Sequence, residues 1–307
     1  MQQNKLPFYQ KHPLLFCLAL IMAAVALFAG AMAALRLSGA HATGGLFKQD
    51  RVGICYIEGF IADSSKVTAW LRELRDDRSV VGVLLRIDSP GGAVAPSQEM
   101  YNAVRRLAAV KPVVVSMGSV AASGGYYIAA GADHIVANPS TITGSIGVKM
   151  ELANMQGLMD KIGIAHDALT SGDLKNAGSP FKPMTDKERA YLQGLVGDMY
   201  EQFLEAIVNG RRMNIEDVRK AADGRAMTGR QALALGLVDT LGDMETAYDK
   251  LVSMCNATGQ APLPFVEGPP QETSILRDLL SSYLGIDPAS SFSESLRRRS
   301  DIRFLYY

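Results

Sequence analysis

The chemistry open to this sequence rests first on one serine and a few glycines. Ser123 stands in the run Val113-Val-Val-Ser-Met-Gly-Ser-Val-Ala-Ala-Ser-Gly-Gly-Tyr-Tyr-Ile128. An apolar segment ends in small residues, the serine follows, and a helix-compatible stretch begins. Small residues let the backbone turn sharply and let another chain lie close. A serine at a strand-to-helix junction presents its hydroxyl at the end of a sheet, and the first N–H groups of the helix face whatever binds there. That is the geometry of an acyl-transfer nucleophile. An N-cap serine after a buried strand has the same local pattern.

An acylating serine needs donors for the oxyanion and a base for its proton. Gly91-Gly92 closes Asp88-Ser-Pro-Gly-Gly92 with uncrowded N–H groups, and Gly124 follows the serine directly. A tight turn after Pro90 accounts for the first pair equally well. The base is harder to find. His12 precedes an apolar stretch, His41 lies in a linker, His134 opens a strand beside Asp133, and His166 precedes Asp167 in an irregular stretch. Ala121 replaces the first glycine of a Gly-x-Ser-x-Gly elbow, so a Ser-His-Asp triad is poorly supported. Lysine also serves serine, but only neutral and desolvated. Lys175, in Ser171-Gly-Asp-Leu-Lys-Asn-Ala-Gly178, reads by composition as a surface lysine. Ser179-Pro-Phe-Lys182 fits an S-x-x-K pattern whose companion motifs are missing, so we read it as a decoy.

These residues need a scaffold. Strands are expected at 51–57, 80–87, 113–117 and 134–137, with helices at 64–77, 96–109 and from Ser123. Apolar strands alternating with helices imply βαβ units and a parallel sheet covered on both faces. Ligands of such sheets sit at the carboxyl ends of strands, where both Gly91-Gly92 and Ser123 fall. Beyond Ile142 a glycine-punctuated strand or loop is expected, then irregular structure at 165–183. A helix is expected at 186–208 with Leu192, Leu195, Val196, Met199, Phe203 and Ile207 buried, then a segment at 215–222 and helices at 228–236 and 243–255. From Pro262 onward the composition suggests loose packing, with one further helix at 275–284.

The chain has 307 residues, with 31 basic and 31 acidic side chains. That balance gives no electrostatic case for nucleic acid. Residues 14–35 carry no charge and are flanked by Lys11 and Arg36. A helix of that length spans roughly 30 Å of hydrocarbon. Lys5 and Lys11 keep the short N-terminus in the cytoplasm by the positive-inside rule. A cleaved signal peptide is the rival reading, since Ala31-Met-Ala33 resembles a cleavage site, but the apolar stretch is long for one. The expected organisation is a cytoplasmic N-terminus at 1–13, a transmembrane anchor at 14–35, a linker at 36–50, a catalytic domain at 51–256 and an extension at 257–307. Cys17, Cys55 and Cys255 show no metal spacing, and buried free thiols are the expectation for the latter two. Nothing in the sequence indicates a metal, nucleotide or organic cofactor.

Five segments in order carry a family resemblance. They are Asp88-Ser-Pro-Gly-Gly92, Ser116–Ile128, Thr143-Gly-Ser-Ile-Gly147, Ser171–Phe181 and Thr228–Asp239. Each is weak alone. Together the chain resembles the membrane-anchored serine peptidases of family S49, the signal peptide peptidase A group, in its short single-repeat form. The resemblance implies a ClpP/crotonase-like α/β fold with a parallel sheet and flanking helices, preceded by one transmembrane helix. It implies a Ser/Lys dyad with Ser123 as nucleophile and Lys175 as general base. Gly92 and Gly124 would supply oxyanion N–H groups, and Ser145 would orient the lysine. It also implies a ring-like homo-oligomer whose sites are completed by neighbouring protomers, so that Lys175 is buried only on assembly. Substrates would be cleaved signal peptides and similar apolar peptides. The place would be the bacterial cytoplasmic membrane, with the catalytic domain on its outer face.

Three other readings stay open at this point: an S49 enzyme processing specific membrane or regulatory proteins, a catalytically silent scaffold, and a crotonase-like acyl-CoA enzyme. The apolar-aromatic end Arg303-Phe-Leu-Tyr-Tyr307 suggests a segment that docks in the enzyme's own groove and is trimmed there. An end that simply packs on the domain, or stays unstructured, fits the same residues.

Overall fold

Strand β1 (Arg51–Glu58) shows how the sheet is built. Its Val52 and Ile54 enter one apolar cluster, while Cys55 and Ile57 enter another on the opposite face. Strand residues alternate between faces, so a strand apolar at successive positions must be covered on both sides. The computed structural model describes Leu14, residues 20–28, Gly30, residues 50–255 and 263–270, and the backbone of Leu305–Tyr306.

Helix α1 (Ser65–Asp76) follows β1, burying Trp70, Leu71 and Leu74. Strand β2 (Val80–Ser89) leads through the short β3 (Gly92–Ala93) into α2 (Val94–Ala108). Strand β4 (Val113–Ala122) precedes α3 (Gly124–Ala129), and β5 (His134–Ala137) and β6 (Ile142–Gly144) follow. Then come α4 (Gln156–Lys161), α5 (Asp186–Arg211), α6 (Ile215–Ala221), β7 (Ala226–Thr228), α7 (Gly229–Ala234), β8 (Thr240–Leu241), α8 (Met244–Met254) and β9 (Phe265–Gly268). Strand β10 (Leu305–Tyr306) pairs antiparallel with β3, apart from the main sheet.

The main sheet has eight strands in the path β7-β6-β4-β2-β1-β9, with β5 and β8 continuing from β4. Its pairs are parallel except β6 with β7. On one face α8 brings Ala247 and Leu251 against Val52, Ile54, Leu84, Val114 and Val136. On the other, helices α1, α2, α3 and α5 enclose Val83, Leu85, Ile87 and Val115. Fully burying a leucine such as Leu74 or Leu251 contributes about 1.5–3 kcal/mol.

The mixed α/β architecture with a largely parallel sheet is the expected one, and four departures from the sequence reading matter. Strand β4 runs to Ala122, five residues past the expected end, because its last residues gain a new partner. Val114–Ser116 pair with β5, and Val120–Ala122 pair with β6. Residues 265–268, expected to be loose, form β9 on β1, with Leu263 buried beneath α8. The long helix α5 buries Phe203 and Ile207 as expected, but Leu192, Leu195, Val196 and Met199 are only half-buried. Helix α4, inside a stretch with no expected helix, buries none of its residues.

The N-terminal unit, Met1–Gln49, is helical at each of its described residues from Leu14 to Gly30. Much of the expected anchor at 14–35 lies outside the described residues. Among the described residues, no helix is long and apolar enough to cross a membrane. The helix expected at 275–284 also lies outside them.

Candidate active site

Ser123 is fully buried, and its backbone holds φ 53° and ψ −116°. These are the angles of the first central residue of a type II′ turn, a place glycine normally fills. A non-glycine residue there is strained by about 1–3 kcal/mol and persists only when its surroundings fix it. Its amide donates to the Gly144 carbonyl at 2.8 Å, and its carbonyl accepts from Tyr127 N at 2.8 Å to start α3. The hydroxyl Oγ is buried, with no hydrogen-bond partner among the described residues.

The bend that delivers Ser123 begins at Gly118. Ile87 pairs with Met117, but Ser89 pairs with Ala121, so β4 carries extra residues between these pairs. Asp88 fills the bulge. Its Oδ1 accepts from Val120 N at 3.0 Å, and a Cβ on Gly118 would lie 2.7 Å from the Asp88 carboxyl carbon. Thr141 and Thr143 then tie β6 to β4, donating to the Gly118 and Ala121 carbonyls at 2.7 and 2.6 Å.

Gly92 and Gly124 meet at this point. A Cβ on Gly124 would sit 3.3 Å from Gly92 N and 2.5 Å from Ser97 Oγ. A Cβ on Gly92 would lie 2.2 Å from the Ile61 carbonyl oxygen. Ser89 shapes the turn between the strands: its Oγ donates to the Gly59 carbonyl at 2.6 Å and accepts from Gly91 N at 3.1 Å. On one edge of β3, Ile61 N donates to the Gly91 carbonyl and Ala93 N donates to the Ile61 carbonyl. Successive residues of a strand point their polar groups to opposite edges. The Gly92 N–H therefore faces away from Ile61. Two backbone donors, at Gly92 and Gly124, thus stand beside a strained hydroxyl, an arrangement able to hold a developing oxyanion.

Ser145 immediately follows the carbonyl that anchors Ser123. It takes φ 49°, its N donates to the Arg225 carbonyl at 2.9 Å, and its Oγ reaches the Gly224 carbonyl at 3.4 Å. Ser123, Gly92, Gly124 and Ser145 are therefore gathered at the ends of β2, β4 and β6. Lys175 is not joined to them. It is exposed, in a stretch of turns, and no hydrogen bond links it to Ser123 Oγ.

The other candidates for a base are otherwise engaged. His134 Nε2 lies 2.9 Å from Thr240 Oγ1, and burial together with nearby Lys250 and Arg211 holds its pKa below the usual 6.5 against the pull of Asp239. His166 stacks against Phe181 with ring centroids 4.6 Å apart. Lys182 pairs with Glu188 at 2.5 and 2.6 Å, and that pairing, with the Thr185 amide, holds the Glu188 carboxyl below its usual range. The thiol of Cys55 is pushed up to about 12 by burial. Asp88, Ser89 and Ser97 were given no individual role by sequence reasoning. The one signal for Asp88 and Ser89 is their place just before Pro-Gly-Gly.

Comparison with known proteins bears on the same segment. Residues 105–257 match the profile of peptidase family S49. A Synechocystis protein provisionally named a protease is 42% identical over 193 residues, covering 62% of this chain and 69% of that one. A Methanocaldococcus jannaschii protein, also provisionally a protease, is 43% identical, covering 61% of this chain and 60% of its own. An Enterococcus faecium protein provisionally named signal peptide peptidase SppA is 38% identical, covering 59% and 53%. The chain thus spans from about half to two thirds of these relatives' lengths. With a nucleophile-like serine inside the matched segment, the chain belongs to peptidase family S49 and is a serine peptidase of that family.

Proposed function

We propose that this S49 peptidase is held at a bacterial cytoplasmic membrane by residues 14–35. There it hydrolyses extended apolar peptides, cleaved signal peptides among them, on the outer face. Ser123 is the nucleophile, and Lys175 of a neighbouring protomer is its base. One observation carries this reading: the Ser123 hydroxyl is buried, strained and unpartnered, while Lys175 sits exposed on a segment without a core of its own. The exposed Leu158, Ile162, Ile164 and Leu169 of that segment, and the half-covered first half of α5, supply apolar surface for a second copy in a ring.

In this mechanism the neutral Lys175 amine takes the proton from Ser123 Oγ as the oxygen attacks the scissile carbonyl. The Gly92 and Gly124 N–H groups hold the oxyanion. The ammonium returns its proton to the leaving amine, and water then hydrolyses the ester. Burial on assembly removes water from the lysine and favours its neutral form. Ser145 accepts a hydrogen bond from it and orients it. The Enterococcus faecium relative's name and the apolar stretch at 14–35 point to signal peptides as the substrate.

The test is complementation. Ser123→Ala and Lys175→Ala are each expected to be inactive on a fluorogenic apolar signal-peptide substrate. Rings assembled from an equal mixture are expected to recover about a quarter of wild-type activity, since neighbours supply the missing group in that share of sites. An active Lys175→Ala enzyme would overturn the base assignment. An inactive mixture of assembled rings would place both groups in one protomer. Cleavage confined to one narrow sequence would favour the processing of specific proteins.

A further inference from the structure

At the amino-terminal end of the sheet, three arginines border one cavity of about 270 Å³. Arg105 comes from the last turn of α2, Arg211 ends α5 and Arg212 caps it. Asp133, just before β5, and Asp239, just before β8, line the same cavity. Both carboxylates are spent on the strands beside them. Asp133 Oδ2 accepts from Val113 N at 2.9 Å, and Asp239 Oδ2 accepts from Ile135 N at 2.7 Å. Val113 opens β4 and Ser123 follows its last residue, so the cavity lies at the other end of that strand from Ser123.

The arginines are less well matched. Arg105 and Arg212 are exposed and have no carboxylate partner among the described residues. The Arg211 side chain is only 6% exposed. Its Nη2 donates to Asp239 Oδ1 at 2.5 Å and to the Gly236 carbonyl at 3.4 Å. The Tyr126 hydroxyl lies beside the same guanidinium. Arg211 Nε is nevertheless buried with no hydrogen-bond partner among the described residues. Arginine stays charged and has donors only, so a buried N–H of this kind calls for an acceptor. Cations are favoured at helix C-termini, which accounts for where Arg105 and Arg212 stand. It does not account for a buried charged donor left unbonded beside a cavity. Arg212 also holds φ 53°, a conformation that glycine usually supplies at a helix end.

We propose that this cavity binds a phosphate group, with Arg211 at its floor and Arg105 and Arg212 at its rim. A phosphate oxygen supplies the acceptor that Arg211 Nε lacks, and its charge meets the two guanidiniums without carboxylate partners. Planar guanidiniums fit phosphate oxygens through paired N–H bonds. The volume is just below the roughly 300 Å³ at which small-molecule sites begin, so the occupant is small. Free phosphate and the phosphodiester of a lipid headgroup share this chemistry. The proposal stands apart from the peptidase reading, since none of its residues belongs to the Ser123 site.

The experiment is calorimetric titration of the full chain in neutral detergent at fixed ionic strength. The probes are inorganic phosphate and glycerophosphoglycerol, the water-soluble headgroup diester of an anionic phospholipid. Saturable one-to-one binding of at least one probe is expected. Arg211→Lys keeps a cation for Asp239 but has no Nε–H, and is expected to weaken binding about tenfold or more. Arg212→Gly removes a rim charge at a backbone position glycine favours, and is expected to weaken binding about threefold or more with no loss of Tm. That second variant decides the matter if the first fails to fold. Tighter binding of inorganic phosphate would assign the site to free phosphate, and tighter binding of the diester to a lipid headgroup. Wild-type protein that binds neither probe, or variants that bind as tightly as wild type, would overturn the proposal.

Discussion

Ser123 N and the Gly144 carbonyl are 2.8 Å apart, and this bond fixes the turn at Ser123 to the strand that leads into Ser145. The bond exists because β4 outruns its pairing with β5 and finds β6. The two buried threonines of that strand region, Thr141 and Thr143, fasten the new pairing through the Gly118 and Ala121 carbonyls. The position of the Ser123 hydroxyl is thereby set by sheet registration rather than by a hydrogen bond of its own, since it has no such partner among the described residues.

The bulge at Asp88 is the hinge of this registration. Asp88→Ala removes the acceptor for Val120 N and is expected to destabilise the fold by about 1–3 kcal/mol. It is also expected to lower kcat more than it raises KM, since it displaces the end of β4 without touching substrate. Asp88→Asn keeps an oxygen in the same place and is expected to retain most activity. Equal kcat losses in the two variants would show that the charge, not the positioning bond, matters.

Gly124 and Gly92, the proposed oxyanion donors, are expected to respond differently to a methyl group. Gly124→Ala drives its Cβ into a side-chain oxygen, Ser97 Oγ, at 2.5 Å, so a second change, Ser97→Ala, is expected to restore part of the loss. Gly92→Ala meets the backbone oxygen of Ile61 at 2.2 Å, and no side-chain change relieves it. Loss of one oxyanion donor costs roughly 10²–10³ in kcat. Single-turnover acylation rates of the single and double variants decide the point. Equal rescue at both positions would contradict the packing described here.

Much of this was legible in the sequence, and the reasons differ by residue. The strands expected at 51–57, 80–87 and 134–137 are legible because parallel strands buried on both faces are unbroken apolar runs. Ser123 and Gly91-Gly92 stand out because small residues after such runs mark strand ends. The end of β4 was missed because Gly118–Ala122 has the composition of a turn, and it pairs only because β6 arrives from more than twenty residues away. Strand β9 was missed because four residues in a Pro-rich stretch have no periodicity to read. Lys175 could not be placed from composition or from one chain. Its segment is exposed and made of turns.

Acid pH is expected to act through His134. Desolvation lowers its folded-state pKa below 6.5, with Lys250 and Arg211 assisting and Asp239 opposing. The unfolded chain therefore binds more protons between the two values, so stability rises with pH across that window. The contribution is complete above 6.5 and is lost as pH falls from there to the folded value. His134→Gln keeps a partner for Thr240 and cannot titrate. Its Tm is expected to drop less than that of wild type between about pH 7.5 and about pH 5. Parallel curves for the two proteins would rule His134 out as the source.

Ser123, the proposed nucleophile, is expected to be a stability liability. At φ 53° a side chain pays a backbone cost that glycine does not, and the Ser123 hydroxyl is in addition buried without a partner. Ser123→Gly is therefore expected to abolish hydrolysis and stabilise the fold by about 1 kcal/mol, raising Tm by roughly 2–4 °C. Ser123→Ala removes the hydroxyl but keeps the Cβ, so it is expected to gain only the part due to the unpartnered oxygen. The difference in Tm between the two inactive variants thus reads the backbone strain less the extra unfolded-state entropy of glycine, about 0.4–1 kcal/mol. If alanine gave a Tm above that of glycine by that whole amount, the turn would carry no strain. The cost of this site would then lie entirely in the unmet hydrogen bond.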